Sequence, residues 1–481
     1  LPFDSNQALV VGERGKGLLS IDGAALSAAT VVIGRSAEDN QAIILGPAPS
    51  LTATPANLNA SRHLIIGDGG FGTLELAAAG EAQGALVTVG RQSASTNRLA
   101  VSAGSSLTSF QGITVGDRGR GLLQNRGTVT TDRTIAVGQG DAADGSIEVL
   151  DPGGSLVSYR GGIVLARGAA AKASLSLRNG AHIDVQELAT EATPTGRADV
   201  ALDGQGSELR IVDTLRLGQI GRPTGPTLMG ISGGAYAKVG HVLLVRRNAS
   251  LVLGGGSMVV GAGPQPAPGF LRVFAGGNII GDGRIQGDLV AEEGSRVRPG
   301  ATVGALSITG KLDCRLGSTI EFDVAGPLAP DQHDFVHTTG ALSIQGVVQI
   351  RFIDGYAPKA GERYCFTQAD GGLAFTPSEV RITGLAPGFR FQMEADPLGT
   401  LCLVASSNAN TDSAPILDAS RSVATEEFVL HWTAPETWRL ETSTQSSTGW
   451  TPVGGTSSEG ADHSHVVSST DPARFFRLSR P

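Results

Sequence analysis

The chain has 481 residues, of which 40% are hydrophobic and 17% charged, and a formal net charge of −8. That apolar content can bury a core, so composition excludes a disordered chain. The basic residues are scattered singly, which argues against nucleic acid as a partner, and no apolar run reaches the ~18 residues of a membrane-spanning helix.

Glycine occurs 68 times, about twice ordinary usage. Without a collagen triplet, that frequency points to repeated turns with positive φ or close backbone approach. The opening Leu1-Pro2-Phe3-Asp4 has no basic stretch followed by an apolar one, so it is not a signal peptide and fits a mature terminus after cleavage.

From the first residues a repeat is visible. Val10-Val11-Gly12-Glu13-Arg14-Gly15-Lys16-Gly17-Leu18-Leu19 returns as Ile65-Ile66-Gly67-Asp68-Gly69-Gly70-Phe71-Gly72-Thr73-Leu74. It returns again as Thr114-Val115-Gly116-Asp117-Arg118-Gly119-Arg120-Gly121-Leu122-Leu123. The anchors Gly12 and Gly34, Gly67 and Gly90, Gly90 and Gly116, and Gly116 and Gly138 lie 22, 23, 26 and 22 residues apart. A period of that length fits one coil of a β-solenoid. Between glycines the strands alternate: Leu74 and Leu76 flank Glu75, Ile147 and Val149 flank Glu148, and Leu175 and Leu177 flank Ser176. That is the period of two of a strand with one face buried. The expected fold is all-β: a right-handed parallel β-solenoid over residues 1–312, a solenoid cap or β-rich block over 313–410, and a small antiparallel β-sandwich over 411–481. At ~24 residues per coil the solenoid holds about a dozen coils and is a rod of ~60 Å.

The boundary near 312 rests on ring size. Seven aromatics precede it and fifteen follow, and narrow repetitive coils favour small aliphatics. Ser406 to Pro415 is a small-residue linker. Beyond it, Phe428, Leu430 and Trp432, then Trp438 and Leu440, then Phe475, Phe476 and Leu478 read as short strands. Of Cys314, Cys365 and Cys402, the pair Cys365–Cys402 is the candidate disulfide, because both lie in strand-like runs of one block. The alternative is that all are buried free thiols.

Three segments resemble a known family. The Val-Gly-x-x-Gly-x-Gly-x-Leu repeats are similar to the autotransporter-associated β-strand repeats of secreted bacterial passengers. Gly281-Asp282-Gly283-Arg284-Ile285-Gln286-Gly287, followed by Arg298-Pro299-Gly300 and Gly304-Ala305-Leu306-Ser307-Ile308-Thr309-Gly310, resembles their closing motif. The block from Asp331 to Leu401 is similar to the segment that ends them. Trp438 to Ser443 with Arg474 to Leu478 resembles a short C-terminal module of secreted proteins. The resemblance implies an extracellular or bacterial cell-surface location and no defined chemistry. The membrane β-barrel that ends true autotransporters does not follow in this sequence.

The motifs that carry chemistry elsewhere read as structure here. Gly67-Asp68-Gly69-Gly70-Phe71-Gly72 matches a dinucleotide fingerprint but leads into a strand, so it reads as a solenoid turn. Gly230-Ile231-Ser232-Gly233-Gly234 matches a nucleophile elbow without an α/β context. His333 and His337, beside Asp331 and Asp334, are expected to be solvated loop histidines too far apart on an extended chain to share an ion. His463 and His465, ~7 Å apart on one strand face, could clamp a metal only weakly, and solvated loop histidines are the expectation for them too. Asp141, Asp144, Glu148 and Asp151 read as a solvated turn that lacks calcium-repeat spacing. Trp432 and Trp438 alternate with apolar neighbours and are expected in a core, with Trp450 as a third indole of a sugar-stacking platform if they are exposed.

No catalytic, cofactor-binding or metal-binding residue is therefore assigned, and the chain is read as no enzyme. It is expected to be a secreted or cell-surface structural or adhesin-like scaffold whose partners are extracellular polysaccharide or other surface proteins. The alternative is a polysaccharide-binding or polysaccharide-degrading β-helix protein; a degrading enzyme would need a long groove with several carboxylates, basic residues and aromatics from adjacent coils. The N-terminal coil, preceded only by Leu1 to Ala8, is expected to offer an open edge for self-association, while residues 313–405 cap the other end.

Overall fold

The computed structural model describes residues 7–13, 18–22, 24–35, 40–45, 56–92, 95–219, 222, 224–261, 269–386 and 388–409. In the C-terminal region it describes residues 418–421, 428–433, 439–443, 451–453, 457–459, 462–467 and 475–479. Every regular element among these residues is a β-strand. No helix among them is long and apolar enough to cross a membrane.

Forty strands join in one continuous ladder, almost all of it parallel. One coil shows the plan. Strand Asp144–Leu150 is followed by Ser155–Ser158 and then Ile163–Leu165, with a corner between each. Each of the three lies in register on its counterpart in the next coil, Lys172–Arg178, His182–Val185 and Leu188–Thr190. Three parallel stacks result, referred to below as the first, second and third, and their cross-section repeats along the chain as a β-solenoid. Long strands such as Ala249–Val260 turn a corner without breaking and so belong to two stacks.

Registers are regular although spacings are not. In the third stack Thr30 pairs with His63, 33 residues on, and Phe270 with Asp288, 18 residues on. The period of 22–26 residues read from the anchor glycines thus covers only part of the range, because the corners between strands absorb insertions and deletions. The strands themselves cannot, since a slip of one residue turns every inward side chain outward.

Inward side chains form columns. Leu99, Leu123, Ile147, Leu175, Val200 and Met229 are consecutive partners in the first stack, and each is at least 98% buried. Burying such a side chain stabilises the fold by roughly 1.5–3 kcal/mol, and no coil could do so alone.

The repeat Gly-x-x-Gly-x-Gly is explained by the corner between the third and first stacks. Gly116 has φ +70, and a Cβ there would lie 2.6 Å from the Asp144 carbonyl oxygen of the next coil. Gly121, which opens the following strand, faces the coil before: a Cβ on it would lie 2.3 Å from the Val89 carbonyl oxygen.

The parallel ladder runs through residue 312 without a break. Leu312–Cys314 pairs with Leu342–Ile344, which pairs with Leu373–Phe375. What changes is the filling: Phe322, Tyr364 and Phe366 are fully buried, and the rings of Phe322 and Phe366 stack 4.8 Å apart. The second stack ends where Arg363–Ala369, parallel to Phe335–Thr338, takes an antiparallel neighbour, Leu401–Ala405. Cys365 and Cys402 face each other across that pair and form a disulfide. Only Cys314 is a buried free thiol, and burial, helped by the charge of Asp313, pushes its pKa up to about 12.

By internal packing the chain divides into two units. One comprises Leu1–Arg351, Arg363–Ile382 and Gln392–Val404; the other comprises Phe352–Glu362, Thr383–Phe391 and Ala405–Pro481. In the second unit, Asp418–Arg421, Phe428–Thr433, Asp462–Val467 and Ser457–Glu459 form an antiparallel sheet. Thr451–Pro452, Arg439–Ser443 and Phe475–Ser479 form another. Leu430 and Leu440 are buried. The side chain of Trp432, and Trp438 and Trp450 altogether, lie outside the described residues, as do Leu1 to Asn6 and with them the expectation of an open N-terminal edge.

The corner geometry separates two kinds of glycine. Gly121→Ala is expected to lower stability by several kcal/mol or to prevent folding. Gly230→Ala, where an added Cβ meets nothing within 4 Å, is expected to be neutral or to stabilise by up to ~1 kcal/mol. Denaturant unfolding of both variants checks this, and equal losses would contradict it.

Candidate functional site

The sequence motifs resolve as follows. Gly67 to Gly72 is a corner leading into strand Gly72–Ala77. Buried Asn97 from the next coil seals it, accepting from the Gly72 amide and donating to the carbonyl oxygens of Ser95 and Arg120. Ser232 ends strand Thr227–Ser232, and its hydroxyl donates to Asp203 Oδ1 at 2.7 Å, which is no strand-to-helix elbow. The four acidic residues do not converge. Asp141 accepts from the Ala169 amide, Glu148 accepts from Gln124 on the rung below, and Asp151 pairs with Arg126 at 2.9 Å. Asp144 lies in register with Lys172. Among the described residues no group of three or more His, Cys, Asp or Glu could hold a metal ion.

One histidine expectation is corrected. His333 is not solvated: it is 1% exposed. Its ring nitrogens lie 3.2 Å from the Gly326 carbonyl oxygen and 3.0 Å from that of Cys365, and its ring packs edge-on against Tyr364 and Phe366. Burial lowers its pKa against the raising effect of those two carbonyls. The reason is local folding: Val324 bridges back to His333 in antiparallel fashion, so the intervening turn lies against the solenoid. His337 is half-exposed in strand Phe335–Thr338, 3.4 Å from Asp370. His463 and His465 lie in strand Asp462–Val467 and not in a loop.

The outer surface carries most of the polar side chains, and these pair along the ladder. At the third-to-first corner the charges alternate, Glu13 with Arg35 at 3.2 Å and Asp68 with Arg91 at 3.4 Å. On the first stack Arg98 donates to Gln124, and Gln124 to Glu148. On the second, Arg210 reaches Asp184 at 3.0 Å, and on the third Arg216 reaches Glu187 at 2.6 Å. Directly opposed like charges would repel across the ~4.8 Å between rungs.

Two of the clefts on this surface gather charged side chains from several coils. The first, about 410 Å³, lies on the first stack and is lined by Asp144, Lys172, Ser174, Arg197 and Asp199. Asp144, Lys172 and Arg197 are consecutive register partners, and Arg197 Nε donates to Asp199 Oδ2 at 2.6 Å, which raises the Arg197 pKa. Carboxylates and bases from three coils meet here, as a polysaccharide-cleaving site requires. Asp144 and Asp199, however, are two rungs and two residues apart, roughly 12 Å between backbones. Paired glycosidase carboxyls stand about 5–9.5 Å apart. The second cleft, about 390 Å³, is lined by Thr190, Glu191, Arg216, Gln219, Arg222 and Arg246.

A further group of titratable side chains among the described residues is one that sequence reading missed. Strand Thr319–Val324 is buried on both faces, so Glu321 and Asp323, outward by alternation, are enclosed. Asp323 receives Arg298 at 2.5 Å and a two-pronged contact from Arg351 at 2.8 Å, and Arg296 lies 3.5 Å from Glu321. Asp334 is fully buried; its two oxygens accept from the Gly304 and Asp323 amides. Burial, with the charge of Asp323 added, outweighs these bonds and pushes the Asp334 pKa up to about 8. With Asp323 and Asp334 both closed to solvent, this cluster ties the closing motif to the last coils and offers no surface to a substrate.

A proton on Asp334 links stability to pH. The folded chain keeps it up to about pH 8, whereas an unfolded carboxyl releases it near pH 4. The stabilisation is therefore complete below about pH 4 and is lost as pH rises through 8. The stability of the wild type minus that of Asp334→Asn is expected to fall over this window, by at most about 1.4 kcal/mol per pH unit. Urea unfolding at several pH values measures it; a difference independent of pH would contradict the assignment.

No protein-family model matches the chain, and no curated protein matches it.

Proposed function

We propose that the chain is a secreted or cell-surface β-solenoid that acts without catalysis, as a scaffold or adhesin-like surface toward extracellular polysaccharide or other surface proteins. The observation that carries this reading is the pairing of outward side chains from rung to rung. Charges that an active site would hold apart and aim at a substrate are instead bonded to one another along the ladder. The resemblance of the repeats and the closing motif to autotransporter passengers supports the same reading, and the Cys365–Cys402 disulfide supports an oxidising, extracytoplasmic location.

A polysaccharide-degrading reading has one observation in its favour, the meeting of Asp144, Lys172, Arg197 and Asp199 at one cleft. It lacks an aromatic platform there, the backbones of the two acidic residues stand two rungs apart, and Asp199 is held by Arg197. The purified chain, incubated with acidic and neutral polysaccharides, is expected to release neither reducing ends nor unsaturated products. Turnover abolished by Asp199→Asn would overturn the non-catalytic reading.

A further inference from the structure

Where like charges face each other on the outer surface, Lys172 with Arg197 and Arg210 with Lys238, a carboxylate pairs with one of them. The second cleft gathers cations of which Arg246 and Arg222 have no such partner among the described residues. Arg216 and Arg246 lie in adjacent coils, since Thr214–Leu217 pairs with Val242–Val245 and the Arg246 amide continues that ladder to the Leu217 carbonyl. Arg216 has Glu187 as its partner on the side away from Arg246. Among the described residues no carboxylate is paired with Arg246. Its guanidinium sits 3.5 Å from the Gly218 carbonyl oxygen and 5.9 Å above the Phe274 ring. The side chain is half-buried, and burial together with the charge of Arg216 weakens its hold on its proton. Arg222 projects into the same cleft, exposed and without an ion pair among the described residues. The acidic lining residue, Glu191, is already paired with Arg167 at 3.4 Å.

A half-buried cation beside a second cation is unfavourable unless an anion joins them. Guanidinium groups match planar oxyanions through paired N–H donors. The cleft volume of about 390 Å³ is at the small end of ligand sites, which suits one or two sugar rings. By contrast, the first cleft sets Asp144 and Asp199 against Lys172 and Arg197, so its charges balance. We infer that the cleft of Arg216, Arg222 and Arg246 is a binding site for an acidic glycan, one that presents a carboxylate or sulfate on a sugar. A nucleic acid would present anions too, but no aromatic ring lines the cleft to stack a base, and the chain carries a net charge of −8.

This inference rests on the polysaccharide-partner part of the proposed function and not on the absence of catalysis. The test is calorimetric titration of the full chain with oligogalacturonate, sulfated dextran oligosaccharide, neutral dextran oligosaccharide and a short single-stranded DNA. The proteins are the wild type, the pair Arg222→Gln/Arg246→Gln, and the control pair Arg118→Gln/Arg178→Gln on exposed sites elsewhere. The expected result is binding of an acidic oligosaccharide that weakens with salt. It should fall tenfold or more in the cleft pair, stay unchanged in the control pair, and be absent with neutral dextran. Preference for oligogalacturonate identifies a carboxylate ligand, and preference for sulfated dextran a sulfate ligand. Absence of binding, equal loss in both pairs, equal binding of neutral dextran, or tighter binding of DNA would each overturn the inference. Cleavage of the bound oligosaccharide would overturn the non-catalytic reading while leaving the site in place.

Discussion

Through most of this solenoid a strand residue meets a counterpart directly above it and another directly below, about 4.8 Å away. That single constraint acts differently inside, outside and at the corners. Inside, it turns isolated aliphatics into columns such as Leu123, Ile147 and Leu175. Outside, it opposes side chains one to one, so a charge is paired across rungs or bridged by a neutral group, as Gln124 bridges Arg98 and Glu148. Where like charges face each other, Lys172 with Arg197 and Arg210 with Lys238, a carboxylate, Asp199 or Asp184, pairs with one of them. At corners it brings backbone against backbone, which admits glycine and little else.

The same constraint explains where titratable groups become unusual. Over most of the ladder an outward carboxylate is solvated and paired. In the last coils the turn between Val324 and His333 folds back, and outward positions 321 and 323 lose their solvent. Arginines from the preceding and following coils, Arg298 and Arg351, then compensate Asp323. Asp334 has backbone amides as partners and is neutralised by a proton instead. Burial of ion pairs in place of apolar residues adds little net stability, but it ties this register of the closing segment to the coils around it.

How much of this could be read beforehand depends on range. Alternation and glycine corners are local, so the solenoid, its repeats and the antiparallel strands after the linker were legible. Partnerships between coils were not. Arg298 meets Asp323 25 residues on, and Arg351 meets it 28 residues back. Because coil steps run from 18 to 33 residues, no fixed spacing identifies such pairs before the register is known. Arg216 and Arg246 are hidden in the same way. His333 was misread for a related reason: its neighbours Asp331 and Asp334 suggest a polar loop, and only the fold shows that a bulky aromatic core, Tyr364 and Phe366, lies across from it.

In-register stacking is the central claim, and cross-linking tests it most directly. Ser146 and Ser174 are register partners, with hydroxyl oxygens 2.6 Å apart, a geometry that a disulfide can span. Ser176 points to the same face two residues further along the strand. Under mild oxidation the Ser146→Cys/Ser174→Cys variant is expected to form an intramolecular disulfide rapidly and nearly completely, and Ser146→Cys/Ser176→Cys is expected to form none. Equal cross-linking of the two pairs, or preference for the offset pair, would contradict the register on which the columns, the charge ladders and the arginine cleft all depend.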